Sequence, residues 1–348
     1  MTITKTFRTG LTIGLAVAAA ILAAAWTYIR YDANTLRKVR ARGELLCGVN
    51  TGLPGFSNPD EKGNWSGFDV DFCRAIAAAI FDDPTKVKFV PLDASERFKE
   101  LRDRKIDVLA RNSTWNLSRE LGFGLHFAAV SYYDGQGFMV RRSRNVEGAL
   151  ELDGSKVCMQ RGTTTQRNLD DYFRTNNMKY QEQVFDKLED VVKAYDSGQC
   201  DAVTSDVSQL YAQRLRLTKP IEHVILPDVI SKDPLAPVVR HKDDDWLLLV
   251  KWTFFAMLNA EELGITSKNI DEALKSTKPD VMRFVGNEGA YGEAMRLTKD
   301  WAVRIIRHVG NYEEVYERNL GSQSKLGIPR GLNQLWNAGG IQYAPPIL

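Results

Sequence analysis

Lys105-Ile106-Asp107-Val108-Leu109-Ala110 and, two residues on, Asn112-Ser113-Thr114-Trp115-Asn116-Leu117-Ser118-Arg119 form the stretch whose reading decides the fold. The first piece is a short apolar run, which predicts a buried strand. The second sets hydroxyl and amide side chains after the strand end, with an arginine closing it. In an open α/β sheet, ligands bind beyond the carboxyl ends of the strands. Small polar groups there can hydrogen-bond a ligand, and a guanidinium fork can take a carboxylate in two parallel bonds. Arg119 is therefore expected to hold the carboxylate of a small zwitterion, with Asn112 and Thr114 beside it. A surface arginine after a loop would show the same local sequence.

Upstream, Glu44-Leu45-Leu46-Cys47-Gly48-Val49-Asn50 predicts a strand that ends in the Gly/Pro-rich loop Gly52-Leu53-Pro54-Gly55-Phe56. Apolar residues at Phe72, Ala75, Ile76, Ala79 and Ile80 recur at helical spacing, so a helix over 69–81 is expected to pack on the sheet. A strand over 87–92 and a polar helix over 95–104 complete a β-α-β-α-β series, the mark of a parallel sheet with helices on its faces.

Downstream, Gly135-Gln136-Gly137-Phe138-Met139-Val140 reads as an apolar strand closing this first block. A second block follows with the same architecture and a different sequence. It has strands at 156–160, 183–185 and 201–204, helices after Gly162-Thr163-Thr164-Thr165 and over Leu188–Tyr195, and an extended return at 234–240. The expected class is α/β, in two lobes about a cleft: 34–140, then 141–234, then a return and C-terminal helical extension over 235–348. Trp246 to Leu258 is strongly apolar but short, and Lys251 lies within it, so a core helix is expected there.

Two more elements can face Arg119 across such a cleft. Thr163 and Thr164 begin a helix, whose backbone N–H groups carry partial positive charge and bind anions; ordinary capping threonines look the same. Asp206 follows the 201–204 strand and could accept an ammonium group, or cap the next helix. Together these would cage an α-amino acid, each ligand charge being paired as burial requires. Leu53 and Phe56 would supply an apolar lid, and Trp115 either lines the pocket or fills the core.

The chain has 348 residues and a formal net charge of +2, enough for two cored lobes and without the field that favours nucleic acid. Lys5 and Arg8 precede an apolar run with Ala23-Ala24-Ala25, the order of an export signal over 1–25; an uncleaved anchor over 11–29 is the alternative. Four cysteines suit an oxidising compartment and allow three pairings; Cys47 with Cys73 and Cys158 with Cys200 would each stay within one half. Histidines 126, 223, 241 and 308 lack ligand spacing, and there is no phosphate loop or nucleophile elbow, so no metal, cofactor or catalytic role is expected.

In sequence the chain resembles the receptors of polar amino-acid ABC transporters, solute-binding protein family 3, in the general L-amino-acid-binding branch. The resemblance rests on Cys47-Gly48-Val49-Asn50, Trp65 to Cys73, Ile106-Asp107-Val108, the 112–119 stretch, Tyr132 to Phe138, Gln160 to Gln166 and Gly198 to Ala202 with Asp206. It continues through Gly310 to Gly321 and Arg330-Gly331-Leu332-Asn333. It implies a periplasmic-binding-protein type II fold and a monomeric periplasmic receptor that delivers L-α-amino acids to membrane permease subunits. Arg119 and amides near Thr163 and Thr164 would take the α-carboxylate; Asp206, helped by Asn112 and Thr114, would take the α-ammonium. Leu53 stands where many specific members carry an aromatic lid, which suits broad specificity. Competing readings are an enzyme on this scaffold, with Glu288, Glu293 or Glu314 as an acid, and an anchored sensing ectodomain.

Overall fold

A computed structural model describes residues 17–20 and 34–348; the expected export signal lies almost wholly outside them. Among the described residues no helix is long and apolar enough to cross a membrane. Two five-stranded sheets organise the molecule. The first runs Val87–Leu92, Leu45–Asn50, Val108–Leu109, Val238–Arg240, Leu125–Phe127, and the second runs Gln181–Phe185, Lys156–Gln160, Ala202–Asp206, Gln136–Arg141, His223–Ile225. In each, the first three strands are parallel and the last two join antiparallel.

The strand at Gln136–Arg141 corrects the expected boundary at 140. It pairs from Gln136 through Val140 with Ala202–Asp206 and so belongs to the second sheet. A fully buried apolar strand carries no mark of its partner in its own sequence. The extended return also divides. Asp233–Leu235 pairs with Tyr132–Asp134 in a two-stranded crossing between the lobes, and Val238–Arg240 enters the first sheet. The chain thus passes between the sheets twice, on adjacent antiparallel segments.

Phe68–Phe81 is apolar nearly all round and buried from Phe68 to Ile80 except at Arg74, as a helix between a sheet and further helices must be. Its entry at Gly67 has φ 134°, and a Cβ there would stand 2.2 Å from the Phe56 carbonyl oxygen, so only glycine fits. Asp244–Glu262 is the expected core helix, capped by Asp243, whose carboxylate accepts from the Trp246 N–H at 3.2 Å. Helix Trp301–His308 packs against both of these, extending the first lobe's core into the tail. Disulfides join Cys47 to Cys73 and Cys158 to Cys200, one in each lobe.

The lobes are closed on one another. The core of the first takes in Leu188 and Ala212 of the second, both buried. Arg216 Nη1 donates to the Gly52 carbonyl at 3.2 Å, and Asn112 Nδ2 to Gln209 Oε1 at 2.9 Å. At Gly162, with φ 77°, a Cβ would come within 3.1 Å of Ser95 backbone across the gap.

Candidate ligand site in the interlobe cleft

The Val108–Leu109 strand ends between its two neighbours, and the chain leaves it through Arg111 and Asn112. Asn112 takes φ 31°, a left-handed conformation that asparagine tolerates, and its N–H is held by Asp69 Oδ2 at 3.0 Å. The next residues fasten to the interlobe crossing: Trp115 N–H donates to Pro234 O at 2.7 Å, and Ala236 N–H to Ser113 O at 3.1 Å. Thr114 Oγ1 donates to Asp233 Oδ1 at 3.0 Å. Asn116 then caps the helix Leu117–Phe123 through the Arg119 N–H at 2.9 Å, which fixes where the Arg119 side chain begins.

Arg119 is no surface arginine. It is 7% exposed, donates from Nη1 to Thr114 O at 2.9 Å, and lies over the Phe98 ring at 5.3 Å. From the second lobe, Asp206 ends the Ala202–Asp206 strand and occupies the cap position of helix Val207–Arg214, yet its side chain makes no capping hydrogen bond. The carboxylate instead lines a small cavity with Asn112, Thr114, Arg119, Gln160, Thr163, Thr164, Thr165, Ser205 and Gln209. Thr164 does not cap its helix either; its hydroxyl donates to Asp233 Oδ1 at 3.1 Å, while Thr163 Oγ1 donates to Gln160 O at 2.8 Å.

Six of the residues singled out by sequence, Asn112, Thr114, Arg119, Thr163, Thr164 and Asp206, therefore share one cavity at the strand ends of both sheets. Leu53 and Phe56 do not join them. Both are fully buried, and Phe56 meets Phe68 and Tyr132 edge-on at 6.3 and 5.8 Å. The expected lid is core; apolar loop residues pack wherever apolar area can be removed from water. Trp115 stacks on Phe127 at 5.7 Å and is likewise outside the cavity lining.

Sequence reasoning passed over Arg97 and Arg111, which also line the cavity. Arg111 had a positional signal, standing directly after a strand. Arg97 had none, since it is one of several charged residues in a short helix and only its burial sets it apart. Asp233, just before Pro234, links the crossing to both lobes by accepting from Thr114 and Thr164.

Charge is polarised across the cavity. Burial pushes the Arg111 and Arg119 guanidiniums down to about 10, against the pull of nearby carboxylates, and drives Arg97 well below its ordinary value with Arg111 and Arg119 adding to the effect. On the other side, burial and then Asp134 and Asp233 hold the Asp206 carboxyl well above the usual carboxylate range, partly offset by Arg119 and Arg97. Burial also lifts Asp134 to about 7, although Ser208 and Gly135 donate to it. Three guanidiniums thus line the cavity from the first lobe and one carboxyl, Asp206, from the second, an arrangement that complements a small molecule carrying both signs.

The profile of bacterial extracellular solute-binding proteins, family 3, matches residues 45–271. The chain belongs to that family. It is 54% identical over 337 residues to a general L-amino acid-binding periplasmic protein of Rhizobium johnstonii, covering 96% of this chain and 98% of that one. It is 49% identical over 318 residues to a glutamate/glutamine/aspartate/asparagine-binding protein of Rhodobacter capsulatus, covering 91% and 94%. A solved periplasmic binding protein from Brucella ovis with glutathione bound superposes with TM-score 0.90 at 54% identity, covering 90% of this chain and 99% of that one. These matches reach into the C-terminal extension, beyond the span of the family profile, so the tail is part of the receptor's common body plan.

Proposed function

We propose that the protein is an exported receptor that closes its two lobes on an L-α-amino acid and presents it to the membrane subunits of an ABC permease. One observation carries the reading: Arg119 from one lobe and Asp206 from the other line the same closed cavity. In the bound state Arg119 takes the α-carboxylate, with the N-terminus of helix Thr165–Thr175 behind it. Asp206 takes the α-ammonium, aided by Asn112 and Thr114. The lobes can separate about the paired crossings Tyr132–Asp134 and Asp233–Leu235. Closure then makes the outer shape report occupancy to the permease.

The relatives' names support this reading, both as to amino acids and as to breadth. Binding without turnover suits the tail glutamates as well. Glu314 accepts from Ser267 and the Asn311 N–H, while Glu288 and Glu293 are exposed, and none of them lines the cavity.

Calorimetric titration of ligand-stripped protein with the proteinogenic amino acids, and with glutathione, tests the proposal. Saturable binding of several L-amino acids, lost in Arg119→Ala with the melting transition retained, is the expected result. A parent protein that binds none of them, or a variant that binds as tightly as the parent, overturns it.

A further inference from the structure

Arg97 is 2% exposed, and its Nε has no hydrogen-bond partner among the described residues. It lines the cavity. Phe98 lies 4.8 Å beneath its guanidinium carbon, and the same ring supports Arg119. Its charged neighbours are Arg111, Arg119 and Asp206, two like charges and one opposite. Arg111 differs, because its Nε donates to Leu92 O at 2.8 Å and the carboxylates of Asp93 and Asp69 act on its charge more strongly than Asp206 does.

Leaving a buried guanidinium donor unmatched costs free energy, and no group among the described residues offsets it at the Arg97 Nε. A zwitterionic amino acid does not answer this need, because its single carboxylate is already assigned to Arg119 and the helix N-terminus. We infer that Arg97, backed by Arg111, is the specificity-determining subsite for a second carboxylate, so that the cavity discriminates in favour of L-amino acids with an acidic side chain. The inference rests on the proposed amino-acid site and adds the side-chain class to it. Arg97, Arg111 and Arg119 are set against one carboxyl, Asp206, so a side-chain carboxylate supplies both an acceptor for the Arg97 Nε and the negative charge the cluster lacks, whereas the amide of glutamine supplies an acceptor only and brings an NH2 group against a cation.

L-Glutamate and L-glutamine differ by that one group, so paired titrations of the full, ligand-stripped protein isolate the subsite. In the parent, glutamate binds at least about tenfold more tightly than glutamine, and aspartate exceeds asparagine in the same way. Arg97→Gln weakens glutamate by about thirtyfold or more, as when a buried charge pair loses one member, and abolishes the advantage of glutamate over glutamine. Arg97→Lys, which keeps the charge and loses the fork, falls between the two. Equal affinity of the parent for glutamate and glutamine overturns the inference while leaving the amino-acid receptor intact. So does an Arg97→Gln variant that loses both ligands equally, which would assign Arg97 to the α-carboxylate. Should the variant fail to fold, the parent's own ratio decides. Absence of binding to any amino acid refutes the receptor proposal and this inference with it.

Discussion

Two buried arginines in this molecule have opposite surroundings. Arg330, in the C-terminal tail, meets Glu261 through Nη1 at 2.7 Å and Nη2 at 3.2 Å, donates again to the Asn333 carbonyl, and lies over the rings of Tyr312 and Tyr316 at 5.3 and 5.6 Å. Burial works against its charge, yet the Glu261 carboxylate keeps its pKa above the ordinary value. Arg97, in the cleft, has an unpartnered Nε and two arginines beside it. The tail completes its own charges because its work is structural. In the cleft, protein groups among the described residues leave the Arg97 Nε unmatched, which is what the proposed subsite for a ligand carboxylate requires.

The tail's structural work can be named. Asn333 accepts from the Tyr133 N–H at 2.7 Å and donates to the Tyr133 carbonyl at 3.1 Å, on one of the two interlobe crossings. Tyr312 and Gln342 both donate to the carbonyl of Ser131, one residue before that crossing begins. The C-terminal segment therefore braces the interlobe crossing.

The sharpest way to break the comparison is to remove the partner of the tail arginine and, separately, the cleft arginine itself. Glu261→Ala leaves Arg330 buried and unpaired, and urea denaturation should show a loss of about 3–5 kcal/mol with amino-acid affinity little changed. Arg97→Gln removes a cation that was never paired, and should leave the unfolding free energy unchanged or raised. If the two variants are equally destabilised, the contrast is wrong.

Arg119→Ala should reverse the pattern. Ligand affinity falls by about 2–5 kcal/mol in calorimetry, while stability of the ligand-free protein holds, because among the described residues the Thr114 carbonyl is the one group that accepts from its guanidinium.

A third effect is smaller and depends on pH. Burial lifts the Asp69 carboxyl to about 7, despite the Asn112 N–H and Arg111. The folded protein therefore keeps a proton on Asp69 that the unfolded chain releases near pH 4, so this group's contribution to stability is present at low pH and declines as pH rises from about 4 to 7. Asp69→Asn, which retains an acceptor for Asn112, should be more stable relative to the parent at pH 8 than at pH 5. A difference between the two proteins that does not vary with pH would refute the shift.

The least effect is expected at the hinge brace. Asn333→Ala loses two hydrogen bonds to Tyr133 and should cost about 1–3 kcal/mol in thermal or urea unfolding, leaving the glutamate-to-glutamine ratio as in the parent. A changed ratio would mean that the tail, and not the cleft alone, sets ligand choice.

Much of this could be read without coordinates where the information is local. The apolar period of Phe68–Phe81, the strand at Leu45–Asn50 and the core helix at Asp244–Glu262 follow from patterning along a few turns. That Arg119 and Asp206 would meet in one cavity was legible because each follows a strand end, and strand ends open on the cleft in α/β folds. Leu53 and Phe56 misled because an apolar loop residue looks the same whether it covers a ligand or fills a core. Gln136–Arg141 misled because a buried strand does not name its sheet.

By itself, then, the order of residues determined many of the elements, the two-block plan, the cysteines' compartment and which polar residues stand at the strand ends facing the cleft. Only the tertiary structure decided which sheet took Gln136–Arg141, that the tail grips the interlobe crossing, and that Arg97 is buried with no partner for its Nε among the described residues. Those depend on contacts between residues far apart in the chain, and the cost of a buried charge is set by what surrounds it, not by its neighbours in sequence.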